Sequence, residues 1–230
     1  MRNEKRNYSI VIRGSKSTAV IDVITASKLA TVAESGKTVE ITTNPAHGAK
    51  SFETLEKLAS TLKSVEFVAS DLYVRHDVTD LNVDQFRNLL ALYQRFESTI
   101  DAITPNRHSK SKSLANLNLV AVSKSETVDA LAKTVPADSH VSFESFATTG
   151  AVEFRRVITF EPNELSNWVT LSQLFVERAR ADAKKVAVSA KRNEINFRQL
   201  KKVLTRETPS QFTDLFRAYA KTVAPATTNA

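Results

Sequence analysis

Residues 8–13, Tyr-Ser-Ile-Val-Ile-Arg, have the β-branched, alternating look of a strand, and Gly14 to Ser17 reads as a turn. Residues 19–24 return as a second β-branched run, with a short helix expected over 27–34 and Gly36 on its C-terminal side. Residues 38–42 predict a third strand, closed by Asn44-Pro45 because proline lacks an N–H and restricts the residue before it. Phe52, Leu55, Leu58 and Leu62 recur at helical spacing and predict an amphipathic helix over 51–63. Residues 65–68 and 72–78 read as a strand pair or one bent strand.

Asn82 suits a helix N-cap, and Phe86, Leu89, Leu90, Tyr93, Phe96, Ile100 and Ile103 form one long apolar face that ends before Pro105. Residues 106–113 are polar and basic and form the best candidate for a mobile loop. A weaker helix is expected over 125–133. Residues 141–146 and 151–158 alternate like paired strands around a turn at Gly150. From Glu161 onward the period is helical. Pro162 suits a first turn, and Leu165, Trp168, Val169, Leu171, Leu174, Phe175 and Val176 make a broad apolar face. Two further helices are expected at 194–205 and 209–222, the second opening at Pro209, and the tail 223–230 has little to bury. The chain has no internal repeat. It divides into an α+β domain over 1–180, a basic helical extension over 181–222 and a disordered tail over 223–230.

Composition narrows the chemistry. With 230 residues, 42% hydrophobic and 25% charged, the chain is long enough for a sizeable core. It has no cysteine, which excludes disulfides, Cys-ligated metal and a thiol nucleophile, and fits a reducing compartment. Only 4 glycines are present, too widely spaced for a phosphate-cradling loop, so P-loop and dinucleotide-fold readings fall away. The charged start, Met1 to Arg6, does not read as a secretory signal, and no apolar run approaches the ~20 residues of a membrane span. A cytoplasmic location and no membrane partner are therefore expected. A net charge of +7 permits contact with nucleic acid, an acidic protein or phosphorylated ligands without choosing among them.

Three stretches carry a resemblance. The first is Val39-Glu40-Ile41-Thr42-Thr43-Asn44-Pro45. The second is Tyr73-Val74-Arg75-His76-Asp77-Val78-Thr79-Asp80-Leu81 and the helix after it, with Tyr93, Glu97 and Pro105. The third is Gly150-Ala151-Val152-Glu153-Phe154-Arg155, followed by Asn163, Asn167 and Trp168. In order and spacing, across roughly residues 36–180, they resemble the amidoligase family, a branch of the superfamily that includes glutamine synthetase and γ-glutamylcysteine ligase. That family has a glutamate strand before a Ser-Pro-Pro turn and a His-x-His-x-Asp strand. A Pro-x-Ser-Arg-Arg loop and a Gly-Thr-x-Glu-Phe-Arg strand with an Asn-Trp helix follow.

The resemblance implies an α+β fold in which a curved antiparallel sheet of the carboxylate–amine ligase type is backed by helices. Its concave face would hold ATP, Mg²⁺ and a carboxylate that is activated as an acyl phosphate and attacked by an amine. Acidic oxygens suit Mg²⁺, and guanidinium forks suit phosphate or carboxylate. Carried over residue by residue, Glu153 and Arg155 are the candidate catalytic pair, and strand alternation sets them on one face. Arg107 and Arg75 are the candidates for cofactor binding, and Glu40 and Glu153 for metal.

The departures bear on activity. Tyr73 and Arg75 stand where the two histidines belong, and His76 points to the other face. Residues 8–13 lack the paired glutamates, the loop keeps only Arg107 with His108 in place of a second arginine, and Ile158-Thr159-Phe160 replaces Gly-Thr-Leu. Reduced or lost catalysis is the expectation: a divergent ligase or a pseudoenzyme, with ATP and Mg²⁺ as cofactors only if it is active.

Ordinary readings stand beside these. Glu40 also reads as a solvent-facing strand glutamate, and Glu153 with Arg155 as a charge pair worth little. Glu97 reads as a partner for Arg95 or Arg107, and Arg107, His108, Lys110 and Lys112 as a solvated basic loop. No two of His47, His76, His108 and His140 have metal-ligand spacing. Lys184, Lys185, Lys191, Arg192, Arg198, Lys201, Lys202 and Arg206 are expected to lie on the C-terminal helices, with Glu194 and Glu207 interrupting them. They read as a solvated face or, with Phe197 stacking on a base, as a nucleic-acid surface. Three functions follow. They are a ligase acting on carboxylate and amine substrates, a non-catalytic protein of an assembly on the same fold, and a nucleic-acid binder. Family relatives occur in bacteria, fungi and phages, so a phage-encoded protein in host cytoplasm or virion is among the expectations.

Overall fold

The computed structural model describes residues 6–48, 50–104, 111–155, 161–181, 196–205, 215–217 and 219. It is a mixed α+β fold built on one six-stranded antiparallel open sheet. The strands are β1 (Tyr8–Ser15), β2 (Ala30–Ser35), β3 (Thr38–Thr43), β4 (Ala69–Asp77), β5 (Val141–Ser142) and β6 (Ala151–Phe154). Their order across the sheet is β2-β3-β1-β4-β6-β5.

Strand alternation separates the sheet into two chemically different faces. In register, Val32, Ile41, Ile12 and Leu72 form one apolar row across β2, β3, β1 and β4. Ile10, Val74, Val141 and Phe154 share that face. Four helices supply the matching core: α1 (Thr18–Ser27), α2 (Lys50–Ser64), α3 (Val83–Ile103) and α7 (Pro162–Ala181). Tyr93 of α3 sits 5.9 Å from the Phe154 ring and 5.4 Å from Phe175 of α7. Trp168 of α7 is buried in the same core.

The long helix forms as its pattern predicts. The Asn82 side chain accepts from the Gln85 N–H, Gln85 accepts from the Asn82 N–H, and this capping box opens α3. The β3 strand, α2 and the start of α7 at Pro162 also agree with the sequence.

Between β1 and β3 the expected order of elements is reversed. Residues 19–24 lie in α1, not in a strand, and most of the expected helix over 27–34 is the strand β2. Ser17 caps α1 by accepting from the Val20 N–H, and Val20 and Ile24, one turn apart, are the buried pair. Lys28, at φ 56°, ends the helix. Gly36, at φ 57°, then forms the two-residue turn between Ser35 and Thr38, where a first position with positive φ favours glycine.

Other boundaries shift as well. β1 runs on through Gly14 and Ser15 instead of turning there. A Cβ on Gly14 would collide with the Phe67 ring and the Val68 carbonyl, so this position requires glycine for close approach. Residues 65–68 form no strand. α4 (Leu119–Lys124) is an unexpected short helix, and the helix expected over 125–133 is α5 (Val128–Ala132). β5 and β6 do pair, but α6 (Phe146–Thr149) lies between them and Gly150 ends it.

At the C-terminal end, α8 (Phe197–Leu204) matches the expected helix. Its Leu200 and Leu204, with Leu215, Phe216 and Tyr219, belong to the same hydrophobic cluster as the sheet and α3. Arg107, His108 and Lys110, residues 156–160, Lys184, Lys185, Lys191, Arg192, Glu194, Arg206, Glu207, Pro209 and the 223–230 tail lie outside the described residues. Among the described residues, no helix is long and apolar enough to cross a membrane.

Candidate functional site

The sheet's other face is polar, and among the described residues α1, α2, α3 and α7 pack on the opposite, apolar face. Three rows cross it. Ala33, Glu40, Arg13 and Asp71 align over β2, β3, β1 and β4. Thr31, Thr42, Val11 and Tyr73 form the next row. Ser9, Arg75, Glu153 and Ser142 form the third, over β1, β4, β6 and β5. Arg155, just past the end of β6, joins them through its backbone N–H, which donates to the His140 carbonyl at 2.8 Å.

Tyr73 is the centre of this face, with 0% exposure. The guanidinium carbons of Arg13, Arg75 and Arg155 lie 5.2, 5.3 and 4.8 Å from its ring centroid. Cations over an aromatic face are attracted by its quadrupole, so one tyrosine organises three arginines. Its hydroxyl donates to Glu40 at 3.5 Å, and burial, with the charges of Glu153 and Glu40, pushes its pKa well above the usual tyrosine range.

The three glutamates of the cluster, Glu40, Glu153 and Glu144, have guanidinium partners. Glu40 accepts from Arg13 Nε at 2.7 Å. Glu153, only 1% exposed, accepts from Arg75 Nε at 3.0 Å and from Arg155 Nε at 2.8 Å. Arg155 also reaches Glu144 at 2.7 Å. Burial alone disfavours the Arg155 charge, but the attraction and hydrogen bonds of Glu153 and Glu144 prevail and raise its pKa. Asp71 is held by no arginine hydrogen bond among the described contacts. Burial raises its pKa against the pull of Arg155 and Arg13.

Of the residues singled out in the sequence, Glu40, Arg75, Glu153 and Arg155 are thus together on one face, and Arg107 lies outside the described residues. Arg13, Tyr73, Asp71 and Glu144 complete the cluster. Arg13 ends the strand expected over 8–13 and Asp71 lies just before the one expected over 72–78, but only the pairing of β1 with both β3 and β4 reveals that they share a row with Glu40.

Two neighbours are structural. His76 faces the helices, as alternation requires, with Nε2 2.7 Å from Ser172 Oγ. Complete burial, helped by the nearby Arg6 charge, pushes its pKa down to about 3, so it is neutral. Among the described residues Glu97 has no arginine partner, and Arg107 lies outside them. Glu97 accepts from Ser113 Oγ at 2.6 Å and the Leu114 N–H at 2.9 Å, and pairs with His140 Nδ1. Burial opposes its charge, yet these bonds hold its pKa below the usual carboxylate range. Arg95 instead stacks over Phe96 at 5.4 Å. Ser111 Oγ, near the end of the basic loop, donates to the Arg155 carbonyl at 2.6 Å, and the Glu97 bonds to Ser113 and Leu114 follow directly after it, so this end of the loop is held beside the cluster.

The cluster as it stands does not fit a divalent cation. Magnesium needs oxygen ligands free of other cations, whereas Glu40 and Glu153 are occupied by guanidiniums. Among the described residues, no group of three or more His, Cys, Asp or Glu is placed to hold a metal ion. Arg13 and Arg75 each spend Nε on a carboxylate and keep a planar fork suited to an oxyanion. At the C-terminal helices, the Phe197 ring packs 5.7 Å from Phe216, which Lys201 also caps at 5.9 Å, so Phe197 is engaged within the fold. Comparison with known proteins gave no match, either to a family model or to a curated protein.

Proposed function

We propose that this chain is a divergent amidoligase-like protein that keeps a ligand site on the polar face of its sheet, with ligase catalysis reduced or lost. One observation carries the reading. The residues of the ordered motifs, Glu40, Arg75, Glu153 and Arg155, meet around Tyr73, but both glutamates are neutralised by arginine.

The chemistry follows from that exchange. Phosphoryl transfer to a carboxylate needs strong positive charge beside the transferring group, which Mg²⁺ would supply where carboxylates were free to hold it. Guanidiniums tied to Glu40 and Glu153 supply charge at fixed positions. They can hold a carboxylate or phosphate by paired N–H donors. Glu153 acts as a positioning residue, orienting Arg75 and Arg155 from beneath, and Tyr73 keeps their planes in place. A site of this kind favours binding over turnover.

The test is an assay of ATP hydrolysis and amide formation over a panel of carboxylates and amines, run beside a binding measurement. The reading expects turnover near background and ATP binding weakened about tenfold or more by Arg75→Ala, since a charge-assisted bidentate contact is worth roughly 1.5–3 kcal/mol. Rapid turnover would overturn the loss of catalysis. Binding indifferent to Arg75→Ala would remove the site.

A further inference from the structure

We propose that strand β2 is the contact through which two copies of this chain pair, antiparallel, into one continuous sheet. This inference is independent of any ligand on the polar face.

The sheet has two edges, and they are built differently. At one end β5 has only two residues. At the other, β2 has six, and all six hold an unbroken register with β3 from Ala30–Thr43 to Ser35–Thr38. Proteins blunt long edge strands with lysine, proline, bulges or covering elements, because free N–H and C=O groups recruit another strand. Within Ala30–Ser35 there is no lysine, proline, glycine or bulge, and the one charge, Glu34, is tied to Lys16. Thr31, Ala33, Glu34 and Ser35 are exposed, and no further strand covers them among the described residues.

Two features select a second copy as the occupant. The apolar row Leu72–Ile12–Ile41–Val32 runs out to the edge and leaves Val32 half-buried there. Antiparallel pairing about a two-fold axis at Val32 brings the partner's Val32 against it and extends the row. The same axis places Glu34 opposite Ala30 and next to Lys28, the exposed basic residue that precedes the strand, so each Glu34, already paired with Lys16 of its own copy, meets a second cation across the contact at both ends. Each copy supplies the same surface, as closed two-fold symmetry requires. One added strand is a small interface, so the association depends on concentration.

The absence of cysteine makes the test clean. Directly opposed residues in an antiparallel pair have Cα atoms close enough for a disulfide. Val32→Cys is therefore expected to oxidise to a covalent dimer at least about tenfold faster than Val68→Cys, a control at an exposed position before β4. Sedimentation of the wild type over a concentration series should show a monomer–dimer equilibrium. Thr31→Lys with Ala33→Lys, both at exposed positions, should weaken it by about tenfold or more. Wild type that stays monomeric throughout would overturn the proposal. So would Val32→Cys that cross-links no faster than Val68→Cys, or a double lysine variant that associates as well as wild type.

Discussion

The two faces of one sheet solve the same packing problem with opposite chemistry. On the helix side, the row Val32–Ile41–Ile12–Leu72 meets α1, α2, α3 and α7, and His76 is kept neutral there. On the other side, a row of the same width holds Glu40, Arg13 and Asp71, and the buried residue at the centre is a tyrosine ringed by arginines. Apolar burial is non-directional and tolerates many arrangements, whereas a buried charge cluster is stable only when each member has its partner. The first face sets the fold. The second is specific to its residues.

The sharpest break in that contrast comes from the helix side. Phe154→Ala empties a site with 0% exposure between His76 and Tyr93, and should cost about 3–5 kcal/mol in urea unfolding. On the polar face, Glu153→Ala leaves Arg75 and Arg155 without their shared carboxylate, and a loss of about 3 kcal/mol is expected from an orphaned buried ion pair. The cost should fall when Arg75 is also replaced by Met, because the charge left behind causes much of it. A loss from Glu153→Ala below about 1 kcal/mol would mean that this face is open to water in the manner of a surface pair.

Acid should act on the helix side through His76. Its folded pKa of about 3 lies below its ordinary value, so between about pH 6.5 and 3 the unfolded chain binds one proton more than the folded chain. Stability from this group is complete above about pH 6.5 and is lost as pH falls, by about 2 kcal/mol from pH 7 to pH 5. The difference in slope between wild type and His76→Asn, read from urea titrations at both pH values, isolates it from Glu97 and from the nearby Arg6, which is paired with Asp80 at 2.8 Å and Glu177 at 2.6 Å. Equal slopes would place water or an acidic partner beside the ring. The smallest effect is expected at Lys63–Glu161, an exposed pair at 2.6 Å. Lys63→Ala should change stability by under about 0.5 kcal/mol.

Sequence periodicity revealed most of the sheet and the long helices. The alternation of residues 8–13 and 38–42, the α3 apolar face and the Asn82 cap all carry local signals that tertiary packing reinforces. It misled at residues 19–34. Val20, Ile21, Val23 and Ile24 are β-branched and look like a strand, yet the pair Val20–Ile24 and the Ser17 cap make them a helix. Short elements such as α4 were illegible because one side chain, Asn118 accepting from the Val120 and Ala121 N–H groups, sets them.

The site was legible in part for a similar reason. Glu40, Arg75, Glu153 and Arg155 stand within ordered motifs, while the partnership of Arg13 with Glu40 needs β1 to lie between β3 and β4. The Glu97–His140 pair joins α3 to the residue before β5, 43 positions apart, and no local pattern announces it.

On the polar face of the sheet, guanidiniums occupy both Glu40 and Glu153. Calorimetric titration of ATP into the protein, with Mg²⁺ and with a chelator in its place, shows whether this built-in charge stands in for the metal. The account predicts binding in both conditions with affinities within about threefold, weakened by Arg75→Ala, because the positive charge is already built into the sheet. Binding that appears only with Mg²⁺ and disappears in Glu153→Gln would contradict it.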